Sequence, residues 1–465
     1  MLDIALIREK PEWIKEQLLK RGYKADFTRL LKLDAQKRKL QKKVEDLQAE
    51  RNRVSKEIAR TKDSTLREQM IAAMKVIGDQ IDSLKLDAYE KRIHEALASL
   101  PNIPLPEVQA GGKESNRVAR TFGKKPEFNF KPKDHVELCT SLGLIDYERA
   151  ARMSGSGTWV YTGMGARLEW ALLNYFIDFH IANGYTFLMP PHLLNYESGY
   201  AAGQFPKFQD DVFCTSTEGG FMDDGKEQKE KGVSPKFRFI LPTAETAIIN
   251  MHRGEIIPPE KLPIKYFGYT PCYRKEPGSY RTSERGMIRG YQFNKVEMFI
   301  FCKSEDSPKF FDELVRNAEK LVEGLGLHYQ TMALAAGDVS ASMAKTYDIE
   351  VYIPSYGYKE VSSCSNAGDY QARRAGIRTR TILRECATKD GKPDIDLALG
   401  APQDSLKNCT STNPSRSVNA FVHTLNGSGL ATSRLIPAIV EQFQTADGHV
   451  MVPPALQKYL GVKII

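Results

Sequence analysis

The sequence predicts an α+β protein: an N-terminal antiparallel coiled-coil arm followed by a larger domain on a mainly antiparallel β-sheet with flanking helices. Three observations predict it. From about Asp34 to Leu100 Gly and Pro are almost absent, and apolar residues recur with a seven-residue period. After Asp134, β-like runs and helical patterns alternate irregularly, with strands dominating the middle. No G-x-G-x-x-G follows a strand and no G-x-x-x-x-G-K-[ST] occurs, so neither a Rossmann nor a P-loop nucleotide site is indicated.

In chain order, residues 1–104 read as an N-terminal domain carrying the arm, 105–133 as a polar linker rich in Pro, Gly and Lys, and 134–465 as the larger domain. In the first arm helix Leu33, Leu40, Leu47 and Val54 form one apolar series, and Val44 and Ile58 the other, with Arg51 interrupting. After a polar break at Thr61–Thr65, Met70, Met74, Ile77, Ile81, Leu84 and Ala88 resume the spacing. Asp63 or Ser64 caps the second helix, and Pro101 stops it. Such a hairpin projects roughly 40–50 Å at 1.5 Å per residue. Its first helix is basic from Lys37 to Lys62. On these residues alone it is either a solvated rod or a phosphate-tracking surface.

Beyond the linker the patterns predict a helix over Met164–Asn183 and strands near Phe237–Leu241, Lys265–Tyr273, Ile288–Phe301 and Asp348–Tyr352. The charged run Gly219–Gly232 and the polar stretch Thr381–Asn419 read as insertions. The 465-residue chain carries a net charge of +8, a moderate excess compatible with a polyanionic partner. Its seven Cys include no C-x-x-C pair, which fits reduced thiols and supplies neither a disulfide frame nor a zinc ligand set. No apolar run reaches the length of a membrane span, and the N-terminus lacks a secretory or transit pattern. A cytoplasmic, membrane-free protein is expected.

The densest chemistry lies in Tyr269–Phe299, where six Lys and Arg residues and several aromatics sit between two β-like segments. It reads as a hairpin with a polar loop from Pro277 to Arg285. On its return strand, alternation sends Tyr291, Phe293, Lys295 and Glu297 to one face, and Gln292, Asn294, Val296 and Met298 to the other. Arginine forks, an aromatic face and a carboxylate on one surface suit a ligand that is part polyphosphate, part flat base and part ammonium. Three further stretches concentrate polar residues in apolar settings. Leu241–Thr246 is a turn with a hydroxyl and a carboxylate. In Glu360–Asn366 alternation puts Glu360, Ser362 and Cys364 on one face. His423–Arg434 is a strand-to-helix junction whose glycines permit close backbone approach to a ligand. Taken singly, each is as well explained by a capping turn, a polar ladder or a Gly-rich loop.

Taken in order, L-P-T-A-E-T, C-Y-R-K-E, F-N-K-V-E, E-V-S-S-C-S-N and H-T-L-N-G-S-G-L-A resemble the class II aminoacyl-tRNA synthetases, in particular seryl-tRNA synthetases of the bacterial type. The resemblance runs from the opening M-L-D-I to the V-P-P-A-L-Q-K-Y-L-G tail. It implies ATP and L-serine as substrates, Mg²⁺ as cofactor, and the serine tRNA as partner, with the selenocysteine tRNA left open as a second acceptor. It also implies a homodimer built through the helix ending near Gly184 and the strand to Pro191. By the same resemblance Arg274, Arg434 and Glu360 are the catalytic residues. ATP falls to Arg274, Lys275, Glu276, Arg285, Phe293, Glu360, Val361, Ser362, Ser363 and Arg434. Within that set Arg274 takes the α-phosphate, Glu276 the adenine amino group, Phe293 the base and Arg285 the β- or γ-phosphate. Mg²⁺ falls to Glu360 and Ser363. Serine falls to Thr243, Ala244, Glu245, Glu297, Asn426 and Ser428, with Glu297 on the hydroxyl. The arm grips the long variable arm of the tRNA, which makes Lys42, Lys43, Arg51, Arg53 and Lys56 the expected backbone contacts.

The chain departs from the family pattern at Pro277, Arg281 and Tyr291, where Ala, Gly and His are usual. Two rival readings stay open. One is a paralogue that activates serine or an analogue for a non-tRNA acceptor; the other is a catalytically silent RNA-binding dimer.

Overall fold

A computed structural model describes residues 1–216, 237–276, 285–383 and 416–465. The run Gly219–Gly232, most of Thr381–Asn419, and the departures Pro277 and Arg281 lie outside the described residues. The chain divides into one unit of Met1–Leu19 with Tyr23–Pro101 and another of Lys20–Gly22 with Asn102–Ile465.

In the first unit the arm is formed by the helices Thr28–Arg60, Ser64–Ser83 and Leu86–Ser99. Asp63 caps the second of these, its side chain accepting from Leu66 N at 3.1 Å. The returning half was expected as a single helix; instead it breaks at Lys85, which takes a left-handed φ of 48°. The break moves the apolar seam. Leu84 is half-buried and Ala88 is exposed, so the seam continues through Leu86, Tyr89, Ile93 and Leu97. Near the arm's base Asp34 is buried and receives both Arg8 (2.9 and 3.0 Å) and Arg38 (3.1 Å). Lys37 pairs with Glu90 across the helices at 3.0 Å. Ile7, Ile14, Leu18 and Phe27 are buried in the same unit.

The second unit is organised on an eight-stranded sheet. Its strands in chain order are β1 (Arg117–Phe122), β2 (Thr186–Leu188), β3 (Ile264–Tyr273), β4 (Gln292–Cys302), β5 (Tyr329–Ala333), β6 (Lys345–Ile353), β7 (Gly357–Gly368) and β8 (His423–Ala431). The spatial order is β1-β5-β6-β7-β8-β4-β3-β2. All pairings are antiparallel except β2–β3. The edge strand β1 lies within the stretch expected as linker, paired to β5 from Arg117 to Phe122.

The sheet's two faces do different work. Val296, Met298 and Ile300 of β4 enter the main core, as do residues of the helices Gly163–Ala182, Ser307–Gly324 and Thr432–Gln442. Phe299 and Phe301, on the opposite face, join a smaller core with Ala244, Ile248, Ala372 and Ile377. Period-two alternation thus places β4 between an apolar layer and a second surface, part apolar and part cavity. Among the described residues no helix is long and apolar enough to cross a membrane.

Candidate active site

Where β4, β7 and β8 lie side by side, their residues line a cavity of about 610 Å³. Phe293, Lys295 and Glu297 of β4 enter it, as the alternation of the return strand predicts. Tyr291 does not, because β4 begins at Gln292 rather than near Ile288. Tyr291 sits before the strand and meets the ring of Phe213.

Glu297 is 1 % exposed, opposite Gly268 of β3 and Ser428 of β8. Its carboxylate pairs with Lys295 Nζ at 2.5 Å and accepts from Asn426 Nδ2 and Ser428 Oγ at 3.3 Å each. Lys295 also donates to Thr243 Oγ1 at 2.7 Å. Nearby, Glu245 accepts from Gln371 Nε2 at 2.6 Å. Burial, then the facing Glu297 carboxylate, pushes Glu245 up to about 7; the Gln371 hydrogen bond, Lys295 and Arg274 oppose the rise. Two carboxylates that repel each other inside one cavity suit a cationic ligand between them. Ala244 is fully buried in the smaller core and takes no part in the lining.

The guanidinium groups arrive from three segments. Arg274, just past the end of β3, stands over the Phe293 ring at 5.1 Å from its centroid and donates to Pro242 O at 3.4 Å. Arg434, in the first turn of the helix Thr432–Gln442, donates to Ile288 O at 3.1 Å and to Glu360 O at 2.7 Å. The third is Arg289, which lines the cavity and ion-pairs with Glu276. Arg285 was expected there; it is exposed outside the lining, its backbone N–H held by Tyr356 Oη at 3.0 Å. Residues between Arg285 and Gly290 form turns instead of continuing the strand, and this brings Ile288 and Arg289 to the cavity. Glu276 lines it from a left-handed φ of 47°, a conformation that costs a non-glycine residue and concentrates at functional sites. Lys275 stays outside the lining, its N–H bonded to Asp211 O at 3.0 Å.

On β7 simple alternation fails. The β6–β7 register shifts between Ile349–Ser362 and Glu350–Glu360, a bulge at Val361 that reverses the parity of the residues after it. Glu360, Val361, Ser363 and Ser365 therefore line the cavity. Ser362, expected among the ATP ligands, is fully buried and donates to Ser428 O at 2.6 Å; Cys364 joins the main core. Behind this edge lies Asp348, opposite Ser363, with Oδ1 buried and without a hydrogen-bond partner. Burial, then the Glu360 charge, raises its carboxyl well above the usual range. Glu360, Ser363 and an acid behind them supply hard oxygen donors of the kind Mg²⁺ prefers. On chemistry and placement these residues fit that ion.

On β8, Asn426 and Ser428 line the cavity while Gly427 and Gly429 lie on the opposite face. A Cβ on Gly427 would stand 2.7 Å from Cys364 Sγ, and one on Gly429 would collide with His180. The glycines are therefore required by packing, not by backbone approach to a ligand. His180 Nε2–H donates to Gly429 O at 2.9 Å, and burial pushes its imidazole down to about 4, so the ring is neutral.

Lys42, Lys43, Arg51, Arg53 and Lys56 are all exposed on the helix Thr28–Arg60. Arg53 is bridged to Glu50 (2.6 Å) and Glu57 (3.1 Å), so part of its charge is already matched. Roles for Lys295, Arg289 and Gln371 did not emerge from the sequence. Lys295 had a visible signal, since alternation put it beside Glu297; Arg289 and Gln371 are brought in by turns and helix packing.

The comparisons with known proteins agree with one another. The family model described as seryl-tRNA synthetase N-terminal domain matches residues 1–104, and that of the tRNA synthetase class II core domain (G, H, P, S and T) matches 236–388. The chain is 51 % identical to serine–tRNA ligase 2 of Clostridium acetobutylicum, over 99 % of each chain. It is 41 % identical to serine–tRNA ligase of Thermodesulfovibrio yellowstonii, over 100 % of each. Among solved structures it is similar to seryl-tRNA synthetase of Pyrococcus horikoshii complexed with ATP (TM-score 0.80, 32 % identity, 100 % of this chain and 99 % of that one). It is also similar to the cytoplasmic serine–tRNA ligase of Naegleria fowleri in complex with AMP (TM-score 0.77, 27 % identity, 100 % and 98 %). With such identity across the full length of both chains, this chain belongs to the seryl-tRNA synthetases, a family of class II aminoacyl-tRNA ligases.

Proposed function

We propose that the cavity joins L-serine to ATP as seryl-adenylate and passes the seryl group to the serine tRNA. One observation carries the reading. A single cavity gathers two buried carboxylates with Lys295, three guanidinium groups and an aromatic ring. Glu245 and Glu297 take the ammonium and hydroxyl of serine, with Thr243, Asn426 and Ser428 completing its surroundings. Phe293 takes the adenine ring and Glu276 its amino group. Arg274 holds the α-phosphate, and Arg289, in place of Arg285, holds the terminal phosphates with Arg434. Guanidinium forks match phosphate oxygens in pairs.

A serine carboxylate is already nucleophilic at neutral pH, so no general base is required. Its oxygen attacks the α-phosphorus, the bond to the bridging oxygen of pyrophosphate breaks, and the arginines stabilise the charge that moves onto the phosphates. A hydroxyl of the terminal tRNA ribose then attacks the seryl carbonyl carbon and AMP leaves. Mg²⁺, held by Glu360 and Ser363, would supply further charge neutralisation on the phosphates. The molecule works in the cytoplasm as a homodimer.

Serine-dependent exchange of pyrophosphate into ATP, followed by charging of tRNA, tests the reading. Exchange and charging with serine are expected. Absence of exchange refutes it, and exchange without charging moves the acceptor away from tRNA.

A further inference from the structure

Gln371 lies outside the cavity lining, yet its amide is the group that holds Glu245. It is fully buried on the helix Tyr370–Ala375. Its Nε2 donates to Glu245 Oε1 at 2.6 Å and to Ala202 O at 2.9 Å. Its Oε1 accepts from Thr424 Oγ1 at 2.7 Å, and Thr424 is itself fully buried on β8. A side-chain amide could otherwise present either end to a carboxylate. Here Thr424 supplies a hydroxyl donor and Ala202 a carbonyl, so only one orientation satisfies all three partners.

We propose that Gln371 is a positioning residue for amino-acid recognition: anchored by Thr424, its amide occupies Glu245 Oε1, fixes the carboxylate plane and leaves Oε2 to the substrate ammonium. This rests on the reading of the cavity as a serine site. The charged groups facing Glu245 are Glu297 and Lys295 on β4 and Arg274 beyond β3. Burial and Glu297 disfavour the carboxylate form, and the Gln371 N–H is foremost among the opposing interactions. Without that donor Glu245 rises further above about 7, and less of it is ionised at neutral pH. Serine binding should therefore weaken most at low pH and recover as pH rises.

Pyrophosphate exchange by the full chain tests this with Gln371→Met, which keeps the length of the side chain and removes its polar atoms. The expected result is a KM for serine raised about tenfold at pH 7, as for loss of a hydrogen bond to a charged group. The KM for ATP and the kcat should stay within about threefold, well short of that tenfold step. The ratio of variant to wild-type KM for serine should shrink from pH 6.5 to pH 8.5. Thr424→Val, which retains Gln371 but frees its amide to turn, should give the same pattern at smaller amplitude and decides the matter if Gln371→Met does not fold. A pH-independent ratio, an equal rise in both KM values, or no change overturns the proposal while leaving the serine site standing. Absence of serine-dependent exchange in the wild-type chain overturns both.

Discussion

Glu297 shares one carboxylate among Lys295, Asn426 and Ser428, all within 3.3 Å. A buried acid so placed can accept from a substrate hydroxyl, and a substrate without one leaves it under-bonded. Alanine should therefore be rejected by a factor on the order of 10⁴ relative to serine. Glu297→Gln keeps the shape but weakens the acceptor, so that factor should fall by about a hundredfold, measured as the ratio of kcat/KM in exchange. The same substitution removes one of the two causes that push Glu245 up to about 7. The pH at which the KM for serine begins to rise on acidification should shift downward. An unchanged ratio and an unchanged pH profile would show that Glu297 does not face the amino acid.

At the scale of elements, Glu169 ties three of them together. It lies on the helix Gly163–Ala182, and its Oε1 accepts from Asn294 Nδ2 of β4 at 2.7 Å and from Thr432 Oγ1 at 2.6 Å. Burial raises this carboxyl from an ordinary 4.5 to about 7. The folded chain thus keeps a proton that the unfolded chain gives up, and Glu169's contribution to stability falls as pH rises from about 4.5 to about 7. The loss is on the order of 3 kcal/mol. Glu169→Gln retains an oxygen for both donors and cannot ionise. Denaturant unfolding at pH 5 and pH 8 should show a smaller drop for the variant than for the wild type, and equal drops would refute the account. Elements also decide what the residues alone disclose. The β4 cavity face (Phe293, Lys295, Glu297) is readable because that strand keeps a strict period of two over those positions. The β7 face is not readable, since the bulge at Val361 depends on pairing with β6, which no local pattern announces. The glycines of β8 misled for a related reason: what they must clear, Cys364 and His180, is distant in sequence.

For the whole molecule, the proposed function assigns the two units separable tasks. The arm's basic residues Lys42, Lys43, Arg51 and Lys56 stand exposed on a helix of 33 residues, about 50 Å long at 1.5 Å per residue. Every residue proposed for ATP and serine belongs to the other unit. Deleting Gln41–Tyr89 should leave serine-dependent exchange within about twofold and lower kcat/KM for tRNA charging by at least about a hundredfold, as loss of several phosphate contacts requires. Equal charging by the shortened chain would remove the arm from tRNA recognition. The heptads made the arm's helices readable at once, whereas the edge strand β1 was hidden in a polar stretch because its six residues are all exposed and show no alternation.

The alternation along β4 also constrains how this chain can change its length. One residue inserted between Phe293 and Phe301 would exchange the two faces beyond it. Depending on where it fell, Glu297 would turn toward the helices or Met298 into the cavity. Each error puts a charge in oil or an apolar group against the substrates, and no neighbouring substitution repairs both. An insertion or deletion in β4 should therefore cost far more than one in the connections, where no face is exchanged. The bulge at Val361 marks the exception: an added residue can persist where the reversed parity itself presents Ser363 and Ser365 to the cavity.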